Sequence, residues 1–440
     1  MTPERNDNNS NRRRTTPDRQ QRRREAQARY KRQAILRLVL VVAALAMAAG
    51  LIAWVTKNAG SGETLATTQT PSTETVSPSG TDEEVWETEP TTVIHVAAAG
   101  DLNVTDEIVS EAMTASGYNF DETFLDVAPV LGAADLTILN FEGTLSGAPY
   151  GFQTGSAPAS LAEKLAQIGV DAVLTANSAS IRSGVLGLQS TISGLKNVGI
   201  QPIGTFTNSD EFKKTGGFTM MEVDGIRVAL VGFTKGMDNL GLPEGSADCV
   251  NILYKDYTTD YKEIDKDEIT KVLRNVAAEE PDITIAMLHW GSEYNENVSS
   301  SQEDIAELML DNGVDVIIGS HSHLLQAIEY DELAGTLVAW SLGDFYGNAT
   351  EAGSNYSAVL DIEITMDNQL GIASITNYSV TPIYTLKPEQ SLVGGHRVVQ
   401  IEKALARYES RYIGRITDDT YSSMSYALTR VGQRITPDTE

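Results

Sequence analysis

Four segments of the chain share one layout: an aspartate, then four to six mostly apolar residues, then a polar residue able to bind metal. They are residues 135–142, 171–177, 282–289 and 315–321. A fifth apolar run, residues 93–101, ends at Asp101 without a leading aspartate. Continuous apolar runs of this length are typical of β-strands buried on both faces. The layout therefore predicts several strands inside a covered sheet.

Helices are predicted between these strands. Ser160 and Glu163 have the spacing of a capping box and open a segment that Gly169 would end. Residues 301–304 and Gly313 delimit a second helix in a similar way. Strands that alternate with helices indicate an α/β fold, in which ligands lie beyond the carboxyl ends of the strands. All five polar groups fall at such ends, so a site is predicted where they meet.

The residues at these ends are suited to a metal ion. Three of the five histidines in the chain, His289, His321 and His323, follow two of the strands, and Asp101 and Glu142 follow two others. Neutral imidazole and carboxylate form the N/O ligand shell of Mn, Fe or Zn, which the sequence does not distinguish. Two alternatives stay open. Asp101 alone could cap the following helix, and a lone histidine is more often a packed residue.

Charge divides the chain into two parts. The whole sequence has 60 acidic and 33 basic side chains, a net charge of −27, but residues 1–37 hold twelve basic and four acidic ones. The acidic remainder excludes nucleic-acid binding by the bulk of the protein, because phosphate contacts need Lys and Arg surfaces. The basic arm, residues 1–37, is interpreted as a disordered orientation signal, with contact to nucleic acid or anionic lipid as the alternative.

Residues 38–55 contain no charged side chain and are long enough for a transmembrane helix. The basic arm before them predicts a cytoplasmic N-terminus and an extracellular main domain, in a single-pass protein of the cell membrane. The alternative, a cleaved signal peptide, would have a shorter apolar core. Residues 56–92 are rich in Ser, Thr, Pro and Glu and predict a flexible stalk. The main domain is expected over residues 93–389.

Other chemistries find little support in the sequence. There is one cysteine, Cys249, so neither an intrachain disulfide nor a cysteine-based zinc cluster is available. We find no phosphate-binding loop and no G-x-S-x-G nucleophile elbow. The acidic loop before Cys249 argues against thiolate chemistry. His95 and His396 lie away from the strand ends and are interpreted as structural.

Six motifs together resemble the CapA-type family of capsule, or poly-gamma-glutamate, synthesis proteins, which are related to calcineurin-like metallophosphoesterases. They are GDLNV (100–104), NFEG (140–143), TAN (175–177), HWGSEY (289–294), GSHSHLLQ (319–326) and SLGDF (341–345). The resemblance implies a four-layer α/β/β/α sandwich with two mixed sheets and a metal centre between loops. It implies Asp101, Glu142, His289, His321 and His323 as ligands, and Glu293 as an acid-base or supporting group. Asp344 stands where the family usually has Asn.

The third motif departs from the family, which usually reads A-N-N-H-x-x-D-x-G there. Asn177 matches the first Asn, but Ser178, Ala179 and Arg182 replace the second Asn, the His and the Asp. The His-Asp pair of the phosphoesterase relatives protonates the leaving group, a contribution of about 10²–10⁴-fold. The candidate catalytic residues are therefore Glu293, Asn177 and Arg182. Arg182 can hold an anion but does not donate a proton at neutral pH.

Two function hypotheses follow. The first is a metal-dependent hydrolase or transferase acting on a phosphoester or an anionic cell-surface polymer of the poly-gamma-glutamate type. The second is a degenerate relative, with or without bound metal, that binds or guides such a polymer within an envelope biosynthesis complex. The segment 390–440 has an amphipathic pattern through Val398, Ile401, Leu405, Tyr408 and Tyr412, which predicts a helical extension packed on the domain, with partner binding as the alternative.

Overall fold

The computed structural model describes residues 91–390, 395–410 and 416–435. The basic arm, the predicted membrane span 38–55 and residues 56–90 of the predicted stalk lie outside the described residues. None of the helices in the described part of the chain is long and apolar enough to cross a membrane. The first strand begins at Thr91, so the last two residues of the predicted stalk belong to it.

Two mixed sheets form the centre of the described residues. The strands of the first sheet are β1 (Thr91–Asn103), β4 (Leu136–Glu142), β5 (Ala172–Leu174), β6 (Gln201–Ile203), β13 (Asp344–Tyr346), β14 (Tyr356–Asp367), β15 (Ile372–Leu386) and β16 (Arg397–Gln400). Their order is β16-β15-β14-β1-β4-β5-β6, with β13 beside the end of β1. β1, β4, β5 and β6 run parallel, whereas β14 to β16 pair antiparallel.

The strands of the second sheet are β7 (Thr219–Val223), β8 (Ile226–Thr234), β9 (Ile283–His289), β10 (Val316–Ser320), β11 (Ile328–Asp331) and β12 (Thr336–Ala339). Their order is β11-β12-β10-β9-β8-β7. β8, β9, β10 and β12 are parallel, and the edge strands β7 and β11 are antiparallel. β2 (Met113–Thr114) and β3 (Gly117–Tyr118) form a separate hairpin. The predicted α/β fold with two mixed sheets is confirmed.

Three apolar cores show how the layers stack. Ile94 and Val96 of β1 share a core with Val228 and Leu230 of β8, so the two sheets pack face to face. A second core covers the outer face of the first sheet, and a third covers that of the second sheet, each with helical residues. The helices are α1 (Asp106–Glu111), α2 (Asp121–Phe124), α3 (Ala128–Leu131), α4 (Ala159–Gln167), α5 (Gly184–Asn197), α6 (Ser209–Thr215), α7 (Lys266–Ala278), α8 (Ser300–Asp311), α9 (Ile401–Glu409) and α10 (Asp418–Ile435). Short 3₁₀ turns occur at Ala247–Cys249 and Pro388–Gln390.

The leading aspartate of each repeated segment has a shared structural role. Each of the four accepts a hydrogen bond of 2.8–2.9 Å from the main-chain N–H of a residue near the start of the neighbouring strand. The main-chain N–H of the same aspartate donates back to that residue's carbonyl. The pairs are Asp135 with His95, Asp171 with Thr137, Asp282 with Arg227 and Asp315 with Thr284. These reciprocal bonds fix the register of parallel strands at the end opposite the predicted site.

The predicted capping boxes are wrong in position. α8 is capped two residues earlier than expected, by Ser299 with Gln302. α4 has Pro158 at its N-cap and no side-chain cap, because Ser160 already lies inside the helix. The predicted helix ends are confirmed. Gly169 and Gly313 follow α4 and α8, and their φ angles are +95° and +94°, which is typical of a glycine that ends a helix.

The predicted C-terminal helix begins later than its pattern suggested. Val398 lies in β16, where it pairs with Thr385, and the helix starts at Ile401. Leu405 and Tyr408 belong to that helix, whereas Tyr412 lies outside the described residues. A second helix, α10, follows and packs Met424, Ala427 and Val431 into the core between the sheets.

Candidate metal centre

The carboxyl ends of four strands, and the start of a fifth, meet at one edge of the two sheets. Asp101 lies near the end of β1, Glu142 ends β4 and His289 ends β9, while His321 and His323 follow β10. Asp344, which begins β13, is the register partner of Asp101. The topology therefore brings together the five residues predicted as ligands and adds a sixth that had been read only as a departure from a motif.

Two groups of potential ligands share Asp101. The ligand atoms of Asp101, Glu142 and His289 all lie within 4.8 Å of one another. Those of Asp101, His323 and Asp344 lie equally close together. A carboxylate common to two groups is in position to serve two adjacent cations, or one cation at either position. His321 belongs to neither group, although its ring centroid lies 4.4 Å from that of His289.

Hydrogen bonds hold the shared carboxylate in place. Oδ1 of Asp101 accepts from the Asn140 amide at 2.6 Å, and Oδ2 accepts from the main-chain N–H of His321 at 3.0 Å. Burial, and next the charge of Glu142, raise the pKa of Asp101 to about 7. Without a cation, this carboxylate is thus costly to ionise. Asn140 is in turn oriented by Asn177, whose amide donates to its Oδ1 at 2.8 Å.

Asn177 lies behind the centre and does not line the cleft described below. It is fully buried, and its amide nitrogen also donates to the carbonyls of Phe141 and Leu174. Ser178, next in sequence, faces the ligands: its hydroxyl donates to Oε1 of Glu142, and its N–H points to Nε2 of His289 at 3.3 Å. Asn177 was predicted as a catalytic residue; its contacts are those of a positioning residue.

Two atoms of the centre, one carboxylate oxygen and one ring nitrogen, are buried without a hydrogen-bond partner. They are Oε2 of Glu142 and Nδ1 of His321. Burial raises the pKa of Glu142, and burial followed by neighbouring cationic groups lowers the pKa of His289 and His321 well below the usual range. Both imidazoles are therefore neutral at pH 7, and each has one nitrogen lone pair. On His289 the Nε2 lone pair accepts the long hydrogen bond from Ser178, which a cation would displace.

His323 has the opposite character. Burial alone would lower its pKa, but Asp344, Glu142 and Asp101 outweigh burial and raise it to about 11. Its Nδ1 lies 2.8 Å from Oδ1 of Asp344, which also accepts from Asn103 at 2.9 Å. His321 and His323 both have positive φ, +87° and +57°, an unusual conformation for a side chain with a Cβ. Without a cation the His323 imidazolium balances the charge of these carboxylates, and it must lose its proton before it can bind a metal.

The residues present fit a divalent metal. The donor set is carboxylate and imidazole, the groups are buried, and Glu142 and His321 each retain an unpartnered atom. These features are costly in a purely structural cluster and are resolved by a cation. Metal binding itself stays a prediction, and the identity of the ion stays open between Mn, Fe and Zn.

A cleft of about 570 Å³ opens above the centre. Glu142, Ser178, His323 and Asp344 form part of its lining. Glu293, predicted as an acid-base group, is exposed at the same cleft, and its neighbour Tyr294 stacks on His323 with ring centroids 5.3 Å apart.

Arg182, predicted to hold an anionic substrate, also lines the cleft. Its guanidinium pairs with Asp238 at 2.5 Å and lies 5.0 Å from the centre of the Phe152 ring. An anion bound at Arg182 would share the guanidinium with Asp238. Ala179, at the position of the family histidine, is completely buried and presents no polar group.

Sequence reasoning missed Lys235, which follows β8. Its Nζ donates to the Gly291 carbonyl at 2.7 Å and lies 4.6 Å from the centre of the Tyr261 ring. Burial lowers the pKa of Lys235, and its charge contributes to the low pKa of His289 and His321. The sequence did contain a signal for Lys235, since a lysine that follows a buried strand is expected at the same edge as the candidate ligands.

The remaining histidines and the cysteine lie elsewhere, as predicted. His95 pairs with Asp361 at 3.0 Å, and His396 hydrogen-bonds to Glu111. Burial, and then Asp248, raise the pKa of the Cys249 thiol, which disfavours a thiolate.

Comparison with known proteins agrees with the motifs. The chain is 26% identical to the capsule biosynthesis protein CapA of Bacillus anthracis over 64% of this chain and 66% of that protein. It is 28% identical to the PGA biosynthesis protein CapA of Bacillus subtilis over 51% and 56% of the respective chains. The matches thus span less than two thirds of these relatives' own length.

Among solved structures, the calcineurin-like phosphoesterase YfkN from Bacillus subtilis is similar over 76% of this chain and all of that chain, with 14% identity and a TM-score of 0.40. These values are too low to transfer any property. Residues 95–349, more than half of the chain, match the family described as bacterial capsule synthesis protein PGA_cap. With the strand-end motifs in the order of that family, the chain belongs to the PGA_cap family of bacterial capsule synthesis proteins.

Proposed function

We propose that the protein is a metal-dependent hydrolase or transferase that acts in the synthesis or processing of a capsule or other anionic cell-surface polymer. The observation that carries this proposal is the sharing of Asp101 by two groups of buried carboxylate and imidazole ligands beneath an open cleft. A purely structural cluster has no need of a cleft, and a purely binding surface has no need of two ligand groups.

The residues of the chain divide the work at this centre. Asp101, Glu142 and His289 would hold one cation, and Asp101, His323 and Asp344 the other position. A bound divalent metal would supply a Lewis acid and lower the pKa of a water molecule. Asn140 and Asn103 orient the carboxylates Asp101 and Asp344 through amide hydrogen bonds of 2.6 and 2.9 Å. Supporting bonds of this kind keep ligands within the narrow tolerance that a metal requires.

Substrate binding is expected along the cleft. Of the charged side chains that line it, Arg182 is the fixed cation, whereas Asp106, Glu107, Asp238 and Glu293 are acidic. An acidic cleft repels a phosphoester or polyglutamate unless cations at the centre reverse the local field. The proposed substrate is thus one whose anionic group meets the metal positions and Arg182 together.

A second function is favoured by one specific observation. Ser178 donates its hydroxyl to Glu142, Ala179 is buried and apolar, and Arg182 is paired with Asp238. None of these three side chains is an acid that titrates near neutral pH. A centre of this kind would bind or guide an anionic polymer within an envelope complex without appreciable turnover.

Purified full-length protein distinguishes the two functions. Metal content after reconstitution with Mn²⁺ or Zn²⁺ is measured first, followed by hydrolysis of bis-p-nitrophenyl phosphate and of a γ-linked glutamate oligomer. His323→Ala should lose metal and turnover, whereas His95→Ala, which removes a histidine–carboxylate pair near the start of β1, should keep both. Bound metal with His323-dependent turnover supports the enzyme; bound metal and polymer binding without turnover support the second function. No metal after reconstitution would refute the proposed metal centre.

We also propose that the protein is anchored in the cell membrane with its main domain outside. The support is the uncharged run 38–55 preceded by twelve basic side chains. The test is protease treatment of intact cells that express the full chain. Degradation of the main domain, together with retention of residues 1–55 in the membrane fraction, is the expected outcome. Protection of the main domain would contradict this orientation.

A further inference from the structure

The C-terminal helix α10 is joined to one wall of the cleft by two ion pairs. Arg430 and Arg434, one helical turn apart, both donate to Oε2 of Glu296, at 2.7 and 2.6 Å. Hydrogen bonding to Tyr356, and next to Glu296, raises the pKa of Arg430 further, so its charge is fixed. The three charged side chains are between 23% and 38% exposed, which places the contact at the boundary of the core.

Glu296 lies in the loop of residues 290–299, which connects β9 to α8 and reaches the metal centre. Two residues before Glu296, Tyr294 has a φ of +54°, donates its N–H to the Ser322 carbonyl at 2.8 Å and stacks on His323. Glu293, next to it, lines the cleft. The position of Glu296 therefore bears on two side chains that face the candidate ligands.

The same loop has a second attachment on its main chain. Nε2 of Gln326, which is fully buried, donates to the carbonyls of Asn295 and Asn297 at 2.9 and 3.1 Å. Gln326 holds the backbone on both sides of Glu296, and α10 holds the side chain between them. Because the attachment by Gln326 does not involve α10, loss of the arginines should loosen the loop without unfolding it.

α10 lies beyond residues 95–349, the part that matches the family. It packs firmly nonetheless, since Thr420, Met424, Ala427 and Val431 are buried. A helix held by its own apolar face is a rigid support, so the ion pairs transmit its position to the loop.

We infer that Arg430 and Arg434 are positioning residues of the cleft, and that α10 is a functional part of the site that the family match does not include. Through Glu296 they hold the 290–299 loop so that Tyr294 covers His323. The effect on metal binding rests on the proposed function, whereas the effect on the loop does not.

Hydrogen–deuterium exchange on the full-length chain tests this inference. The variants are Glu296→Gln, the double variant Arg430→Met with Arg434→Met, and their combination. Partly exposed ion pairs stabilise a local structure weakly, so we expect amides of residues 291–298 to exchange about two- to tenfold faster in the variants. The combination should be no faster than either part, because all three remove one contact. The matched control is Arg407→Met, which breaks an ion pair of α9 with Asp126, away from the loop.

Metal affinity gives a second readout that a merely structural role would not change. Titration with Mn²⁺ should show about two- to tenfold weaker binding in the arginine double variant and no change in Arg407→Met. Unchanged exchange, equal changes in the control, or additive effects of Glu296→Gln and the double variant would overturn the inference. Faster exchange with unchanged affinity would overturn its link to the centre. Absence of Mn²⁺ binding in the unmodified protein would refute the proposed function and that link, while the exchange experiment still decides the role of α10 in the loop.

Discussion

Adding a single methyl group at Gly100 should move Asp101 of β1 away from Asp344 of β13, two candidate ligands of the metal centre. A Cβ added to Gly100 would lie 1.8 Å from the carbonyl oxygen of Gly343, whereas real Cβ atoms essentially never approach closer than 3.0 Å. Gly100→Ala therefore needs a displacement of at least 3.0 − 1.8 = 1.2 Å between β1 and β13. The hydrogen bond from Asp101 N–H to the same oxygen, 2.9 Å long, would be lost or strained.

The size of the effect follows from this displacement. Overpacking of a tight site costs about 1–3 kcal/mol, and the hydrogen bond adds about 0.5–1.5 kcal/mol. We expect the free energy of unfolding to fall by about 2–4 kcal/mol. The displacement also moves Asp344, the residue after Gly343, away from its register partner Asp101. Metal ligands tolerate only about 0.2 Å, so metal affinity should fall by about 10–100-fold.

Urea denaturation in EDTA measures the first quantity, and titration of the folded protein with Mn²⁺ measures the second. Gly432→Ala is the control, because its added Cβ meets nothing within 4 Å and the residue lies inside α10. It should be neutral or stabilise the protein by up to about 1 kcal/mol. If Gly100→Ala unfolds within about 0.5 kcal/mol of the unmodified protein and binds Mn²⁺ equally well, the reasoning from close approach of β1 and β13 is refuted.

Three further predictions concern charge. Metal at 100 times its dissociation constant should raise the free energy of unfolding by about 2.7 kcal/mol. An equal melting temperature in the presence of metal and in EDTA would contradict this. In EDTA, the pKa of Asp101 is about 7 in the folded protein against 3.8 as the ordinary value. Its contribution to the free energy of unfolding is therefore fully present below pH 4 and is lost as the pH rises to 7, because the unfolded chain ionises first. Relative to the unmodified protein, the free energy of unfolding of Asp101→Asn should thus increase over this pH range, by at most about 4 kcal/mol. If the urea midpoints of the two proteins change in parallel from pH 4 to 7.5, this prediction is wrong. The hydrogen bond to Asp361 raises the pKa of His95, so its contribution is lost as pH rises through that pKa. NMR titration of Asp361→Asn should show a lower pKa for His95, and an unchanged value would exclude this cause.

The strands and the edge that carries the site could be predicted because their signals are local. A run such as residues 282–289 is apolar throughout, and its last residue is a histidine, so both the element and its functional end are visible in eight residues. The leading aspartates were recognised as a pattern without a role. Their hydrogen bonds reach the neighbouring strand, between 31 and 55 residues away in sequence, and no local pattern identifies that partner.

Asp344 could not be assigned from sequence for the same reason. It joins the centre through the pairing of β13 with β1, across more than 240 residues of chain. The capping box of α8 failed differently, because Ser299 and not Ser301 caps the helix, and the Gln302 side chain that completes the box also donates to Gln326, 24 residues away. The contact of α10 with the 290–299 loop joins segments 134 and 138 residues apart, and it was beyond any pattern in either segment.

The altered third motif changes which groups of the cleft supply affinity for an anion, and it leaves the cleft able to bind one. Arg182 already has a carboxylate partner in Asp238, so a substrate carboxylate or phosphate that takes its place exchanges one ion pair for another. Such an exchange contributes selectivity for an anionic group and little net free energy. The net attraction must then come from cations at Asp101, because the acidic side chains of the cleft otherwise repel the substrate. Binding of an anionic polymer and loading of the metal centre are therefore expected to rise and fall together, in the catalytic and in the non-catalytic case alike.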